Sequence, residues 1–135
     1  MQRVEDASWQ AFRRLNFGLW TVLYYNVHVG AVAGDDARED AATRILRAYL
    51  YAKRVDAIAR TPTETWIIEV KASARASAIG QILVYPPLVQ TRFPEWAPFR
   101  PMIVAAACDP DVEATAATYG VEVYCPPFTL VQPRR

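Results

Sequence analysis

The sequence predicts an α/β fold with a mixed central sheet flanked by helices, and three observations carry that reading. Two strand-like runs, "KRVDAIAR" at 53–60 and "TWIIEVK" at 65–71, stand either side of the turn-forming "TPTE". A later apolar run, "PMIVAAAC" at 101–108, precedes a segment that opens on Asp109-Pro110 and closes on Gly120, the marks of a short helix. A last short strand, "VEVYC" at 121–125, follows it. Helix, hairpin, helix, strand, helix, strand is the order of an α/β chain with a mixed sheet.

The remaining elements follow from spacing. In "VEDASWQAFRRLN", residues 4–16, Val4, Trp9, Phe12 and Leu15 recur near the helical period, which predicts an amphipathic helix. Residues 19–33 are rich in β-branched and aromatic types and fit either a strand or a continuation of that helix. "GDDAREDAATRILRAYL", residues 34–50, begins with an N-cap signal and acids in its first turn, so a second helix is expected, turning into a strand near Arg47–Tyr51. "ASARASAIGQILVY", residues 72–85, has helical composition, and Pro86-Pro87 are expected to end it.

A chain of 135 residues that is 53% hydrophobic can build one core, so one domain over 1–135 is expected and disorder is not. The net charge is +1, so any contact with nucleic acid must come from local arginine clusters. Cys108 and Cys125 lack metal-ligand spacing and no secretory leader pattern precedes them; reduced thiols packed near the core of a cytoplasmic protein are expected. Residues 17–34 carry no formal charge, but Thr21, Asn26, His28 and three glycines make them a poor membrane span, so no membrane association is expected. His28, the only histidine, reads as a core or boundary residue, since a histidine metal centre needs several ligands.

The hairpin carries the chemistry. A four-residue loop pairs Arg60 with Thr65 and places Asp56 directly opposite Glu69, with Cβ atoms roughly 4.5–5.5 Å apart. Like charges opposed across a sheet are destabilising, so such a pair has something to hold, and a hard divalent cation suits two carboxylates. Lys71 lies one step beyond Glu69 in a chain that has thirteen arginines and only one other lysine, Lys53. A compact ammonium can orient a water or stabilise charge developing on phosphate, and it loses its proton more readily than a guanidinium.

At these residues the chain resembles the PD-(D/E)XK nuclease superfamily, with its restriction-endonuclease-like core. That family has an acid on one hairpin strand, here Asp56 in "RVDAIA", then acid-x-Lys on the next, here Glu69 and Lys71 in "IIEVK". RecB-like members follow with a helical glutamine and a tyrosine four residues on, and "GQILVY" supplies Gln81 and Tyr85, with Ser77 extending the stripe. The resemblance covers roughly residues 40–108 and departs from the family where Val55 replaces a proline, where the loop is short, and where Pro86-Pro87 interrupt the helix. It implies Mg²⁺ or Mn²⁺ held by Asp56, Glu69 and the Val70 carbonyl, Lys71 assisting the attacking water, Gln81 as a further catalytic group, and Tyr85 in support. It also implies hydrolysis of nucleic-acid phosphodiesters, DNA foremost, with Arg54, Arg60, Arg75 and Arg92 as backbone contacts. Many members carry a further acid on an early helix; Glu5 and Glu39 both qualify and nothing selects between them. A second reading is a silent nuclease-like domain used for nucleic-acid binding or assembly. Small size and weak net charge favour such a module or a homodimer, and "LVQTRFPEWAPFRP" at 88–101 suits either a partner surface or a packed loop.

Overall fold

A computed structural model describes residues 3–30, 40–51 and 53–125. One five-stranded sheet runs in the order β1-β2-β3-β4-β5, formed by β1 (Val22–His28), β2 (Arg54–Arg60), β3 (Thr65–Ala74), β4 (Phe99–Cys108) and β5 (Glu122–Tyr124). β1, β2 and β3 pair antiparallel, while β3–β4 and β4–β5 are parallel. The helices are α1 (Arg3–Leu15), α2 (Ala41–Tyr51), α3 (Ala76–Arg92) and α4 (Pro110–Thr118), with a 3₁₀ turn at Pro94–Trp96. This is the predicted mixed sheet with flanking helices.

Each face of the sheet has its own core. On one face α1 lays Trp9 and Phe12 against Ala57, Ala59, Trp66, Ile68, Val70, Met102 and Val104. Its aromatic side chains interlock: Trp9 stacks on Trp20 at 5.9 Å and Phe12 meets Tyr124 edge-on at 5.3 Å. Each such pair adds about 0.5–1.5 kcal/mol beyond the area it buries, which holds α1 in one place over the sheet. On the other face α3 and α4 cover Ile58, Ile67 and Ile103 with Ala78, Ile79, Ile82, Val89 and Ala116. Residues 88–101 comprise the end of α3, the 3₁₀ turn and the start of β4, with Phe93, Trp96 and Phe99 partly buried against that second core.

Of the two readings open for residues 19–33 the strand is the one found, with residues 22–28 pairing with β2 from Val22↔Arg60 to His28↔Arg54. Several other expectations are corrected. α2 begins after Asp40, whose Oδ1 accepts the Thr43 N–H at 2.7 Å; the N-cap signal at Gly34-Asp35-Asp36 lies outside the described residues. The strand expected near Arg47–Tyr51 is absent, because α2 continues to Tyr51. β3 runs on to Ala74, where the parallel ladder to β4 persists as far as Ala74↔Cys108, so residues 72–74 are strand rather than helix. Pro86 and Pro87 do not end α3. A helical proline costs about 3 kcal/mol, but Val89 and Leu88 beyond them pack into the core, and burial of each large apolar side chain returns about 1.5–3 kcal/mol.

Cys108 and Cys125 are not free thiols but a disulfide, with Cα atoms 6.4 Å apart. The α4 crossover returns the chain to the edge of β4, and Cys125 follows β5 directly at the same end of the sheet where Cys108 closes β4. α4 itself follows its sequence signal: Asp109 Oδ1 accepts the Asp111 N–H at 2.9 Å, and Pro110 occupies the first turn. Asp109→Ala should lower stability by about 1 kcal/mol, read as a lower urea midpoint with unchanged slope.

Candidate functional site

The hairpin has the register its loop dictates, with Arg60↔Thr65, Ala59↔Trp66, Ile58↔Ile67 and Ala57↔Ile68 paired. Pairing stops one step short of Asp56 and Glu69. There Asn26, opposite Asp56, takes a left-handed backbone with φ of 52°, a conformation asparagine tolerates better than most residues. Side-chain alternation skips at this point: Tyr25 and Ala57 belong to the α1 face, whereas Val27 and Val55 pack with the α3 face. The two strands diverge, and the carboxylate of Asp56 replaces the missing ladder bond by accepting the Val70 N–H at 2.8 Å. A residue in a strand points its N–H and C=O to the same side, so the Val70 carbonyl faces this gap as well.

The gap opens into a cleft of ≈ 440 Å³ lined by Asp56, Glu69, Val70 and Lys71, with Asp6 and Gln10 of α1 across from them. Glu69 is 5% exposed. Its Oε1 lies 3.4 Å from Lys71 Nζ, while its Oε2 is buried with no hydrogen-bond partner. Burial first, and then the charge of Asp56, push the Glu69 carboxyl up to about 7; Lys71 and the Tyr85 hydroxyl pull it partly back. Tyr85 is itself raised above the ordinary phenol range by burial and by the two carboxylates.

These contacts show which expected residues meet. Asp56, Glu69, Val70 and Lys71 share the cleft, and Tyr85 reaches Glu69 from α3. Gln81 does not line it; it is exposed, one turn before Tyr85, in a separate depression with Lys53 and Ser77. Arg54, Arg60 and Arg75 do not line it either. Arg60 sits at the hairpin end of β2 with its guanidinium over the Trp96 ring, 5.1 Å from the centroid, and Arg92 lies over Phe93 at 5.7 Å. An early-helix acid that lines the cleft is Asp6, which stands one helical turn before Gln10 on the stripe facing the gap; the Glu5 side chain and Glu39 lie outside the described residues. Trp9 and Phe12 fix which side of α1 faces the sheet, and Asp6 lies three residues before Trp9. That placement is available in the apolar spacing.

Among the described residues no three histidine, cysteine or acidic side chains converge into a ready-made metal cage. Mg²⁺ does not require one, since it takes one or two carboxylates and keeps several waters. The orphaned Glu69 Oε2 beside Asp56 is an unsatisfied acceptor that such an ion fits. Asp56 then has two duties. Asp56→Ala leaves the Val70 N–H without an acceptor and should cost about 1–3 kcal/mol. Asp56→Asn keeps an acceptor, removes one of two crowded charges, and should melt at least as high as wild type in chelator; paired thermal melts check both.

Three solved structures share the fold. A protein of unknown function, AF1548, superposes with a TM-score of 0.54 at 11% identity over 89% of this chain and 56% of its own. A repair endonuclease from Pyrococcus abyssi gives 0.55 at 14% over 94% of this chain and 48% of its own. EndoMS in complex with double-stranded DNA gives 0.50 at 13% over 95% of this chain and 47% of its own. This chain thus spans about half the length of each. No family profile matches the sequence, and no curated protein matches it. Among the described residues no helix is long and apolar enough to cross a membrane. This chain shares its mixed sheet with flanking helices with a repair endonuclease and with EndoMS.

Proposed function

We propose that the chain is a metal-dependent nuclease of the PD-(D/E)XK type that hydrolyses phosphodiester bonds in DNA. One observation carries this: the cleft brings together Asp56, a buried Glu69 with an unpartnered oxygen, and Lys71 beside it. Two carboxylates raised in energy by mutual repulsion are a poor structural choice and a good cation site. Bound there, Mg²⁺ or Mn²⁺ would neutralise phosphate and favour ionisation of water. Asp56, Glu69 and the Val70 carbonyl would hold the ion, and Asp6 borders the same cleft as a further acid. The Lys71 ammonium, 3.4 Å from Glu69, would orient the attacking water against phosphate. Tyr85 approaches the Glu69 carboxylate from the α3 side and favours its charged form. DNA is the first substrate to test because one structural neighbour was solved on double-stranded DNA.

The placement of Gln81 outside the cleft favours a second reading, a silent binding or assembly module, since a family glutamine at work would face the phosphate. A panel of linear, circular, branched and single-stranded DNA and RNA, incubated with Mg²⁺ or Mn²⁺, separates the two. Metal-dependent cleavage of any member supports the enzyme. Binding without cleavage across the panel supports the module.

A further inference from the structure

The cleft does not end at Gln10. A second groove of ≈ 490 Å³ shares that residue and continues along the trough between α1 and β1, lined by Arg13, Arg14, Phe17 and the backbone turn that leads into β1. α1 and β1 run in opposite directions along it: Asp6 and Asn26 flank the acidic end, while Phe17 and Val22 flank the other. Asp6, Gln10, Arg13 and Phe17 recur at intervals of four, three and four, which is one stripe of a helix and its exit turn. Among the described residues, the lining of this second groove holds two arginines and no acid. Among the described residues neither Arg13 nor Arg14 is paired with a carboxylate. Phe17 is 90% exposed, an outlay of apolar ring surface that the fold of this chain does not use.

We infer that this groove is a binding track for an unpaired strand of nucleic acid, with Arg13 and Arg14 on successive phosphates and Phe17 as a platform for a base. The choice of ligand rests on the nuclease reading of the adjoining cleft. The charge pattern fits it: carboxylates where a cation would bridge to the scissile phosphate, guanidinium groups where the next phosphates run. A lone exposed ring selects for single strands, because a base offers its face to an aromatic side chain only when it is unstacked from a duplex. The substrate class is therefore DNA with a free or frayed strand.

The test is fluorescence anisotropy in chelator, where nothing is cleaved, using a labelled ten-nucleotide oligothymidine and a blunt duplex of the same length. Wild type should bind the single strand more tightly than the duplex. Phe17→Ala should weaken single-strand binding about tenfold, and Phe17→Trp should retain it. Arg13→Ala with Arg14→Ala should reduce the dependence of log affinity on log salt by about 1.4, at about 0.7 for each phosphate no longer neutralised. Phe17 is exposed, so its variants should melt with wild type, and melting curves verify that. Equal affinity of wild type and Phe17→Ala for the oligonucleotide overturns the track, as does failure of wild type to bind it. A wild-type dimer in sedimentation that Phe17→Ala dissociates also overturns it, in favour of a second copy of the chain on this face. The two readings fail separately. Cleavage by wild type with no effect of Phe17→Ala on binding removes the track alone. Phe17-dependent binding with no metal-dependent cleavage removes the nuclease alone.

Discussion

Lys71→Ala is expected to lower metal-dependent cleavage at least hundredfold while leaving the fold and Mn²⁺ binding nearly unchanged. Lys71 sits at the mouth of the cleft, a third exposed, with its ammonium against Glu69 rather than among the cation's expected ligands. Its removal therefore takes away a positive charge aimed at the reacting phosphate, and a positioned charge of that kind contributes a factor of about 10²–10³. Removal also leaves Glu69 more exposed to repulsion from Asp56, because Lys71 is one of the groups holding its charge. Metal affinity should thus stay or rise slightly as turnover collapses. Lys71→Arg should not rescue, since the guanidinium is larger, planar and does not give up its proton. Single-turnover cleavage, beside calorimetric titration with Mn²⁺, reads the two effects apart. Unchanged turnover in Lys71→Ala would remove the residue from the mechanism.

The second large effect is on stability. In chelator the protein should lose stability as pH rises from about 5 to 8, by an amount on the order of 3 kcal/mol. In the folded chain the Glu69 carboxyl titrates at about 7, against an ordinary 4.5. Below 4.5 both folded and unfolded chains hold the proton and the group contributes nothing. Between 4.5 and 7 the folded state keeps a proton that the unfolded state has released, so each step up in pH favours unfolding. Above 7 both are ionised and the full penalty stands, at about 1.4 kcal/mol for each pH unit of displacement. Glu69 is buried, so water does little to relieve it. Glu69→Gln should flatten this slope and be the more stable protein at about pH 8. A divalent cation should do the same for wild type, since a ligand at about a hundred times its Kd adds about 2.7 kcal/mol. Urea unfolding at both ends of that pH range, with chelator and with Mn²⁺, reads all of these. Parallel slopes for wild type and Glu69→Gln would show that Glu69 is not held in repulsion.

The hairpin is legible in the sequence because its turn sets its register: once Thr61–Glu64 form the loop, Asp56 must fall across from Glu69. What is not legible is that the ladder ends before this pair. That depends on Asn26, which lies on β1, far earlier in the chain, in a segment whose period fits helix and strand alike. Sequence alone ends α3 too soon because the cost of proline is local, whereas the packing of Leu88 and Val89 that offsets it is tertiary. The disulfide escapes the sequence for a similar reason. Cys108 and Cys125 are 17 positions apart, and only the α4 crossover returns the chain to the edge of β4. Asp6 differs: the helical period of Trp9 and Phe12 already places it on the sheet-facing side, and a choice confined to Glu5 and Glu39 passes it by.

The four-residue loop between β2 and β3 also has a consequence in time. Hairpins closed by short loops form in about 1–10 μs, whereas parallel neighbours must wait for a long crossover to close. β3 meets β4 only after α3 and the following turn have been threaded between them. Asp56 and Glu69 are therefore brought within reach of each other among the earliest contacts, before α1 and α3 enclose them. The repulsion is then met on the way up the barrier, while the carboxylates are still wet and weakly coupled, and grows only as the walls close. On the proposed reading, a cation present during synthesis would meet Asp56 and Glu69 before it met a finished cleft, and would take part in folding the site as well as in occupying it.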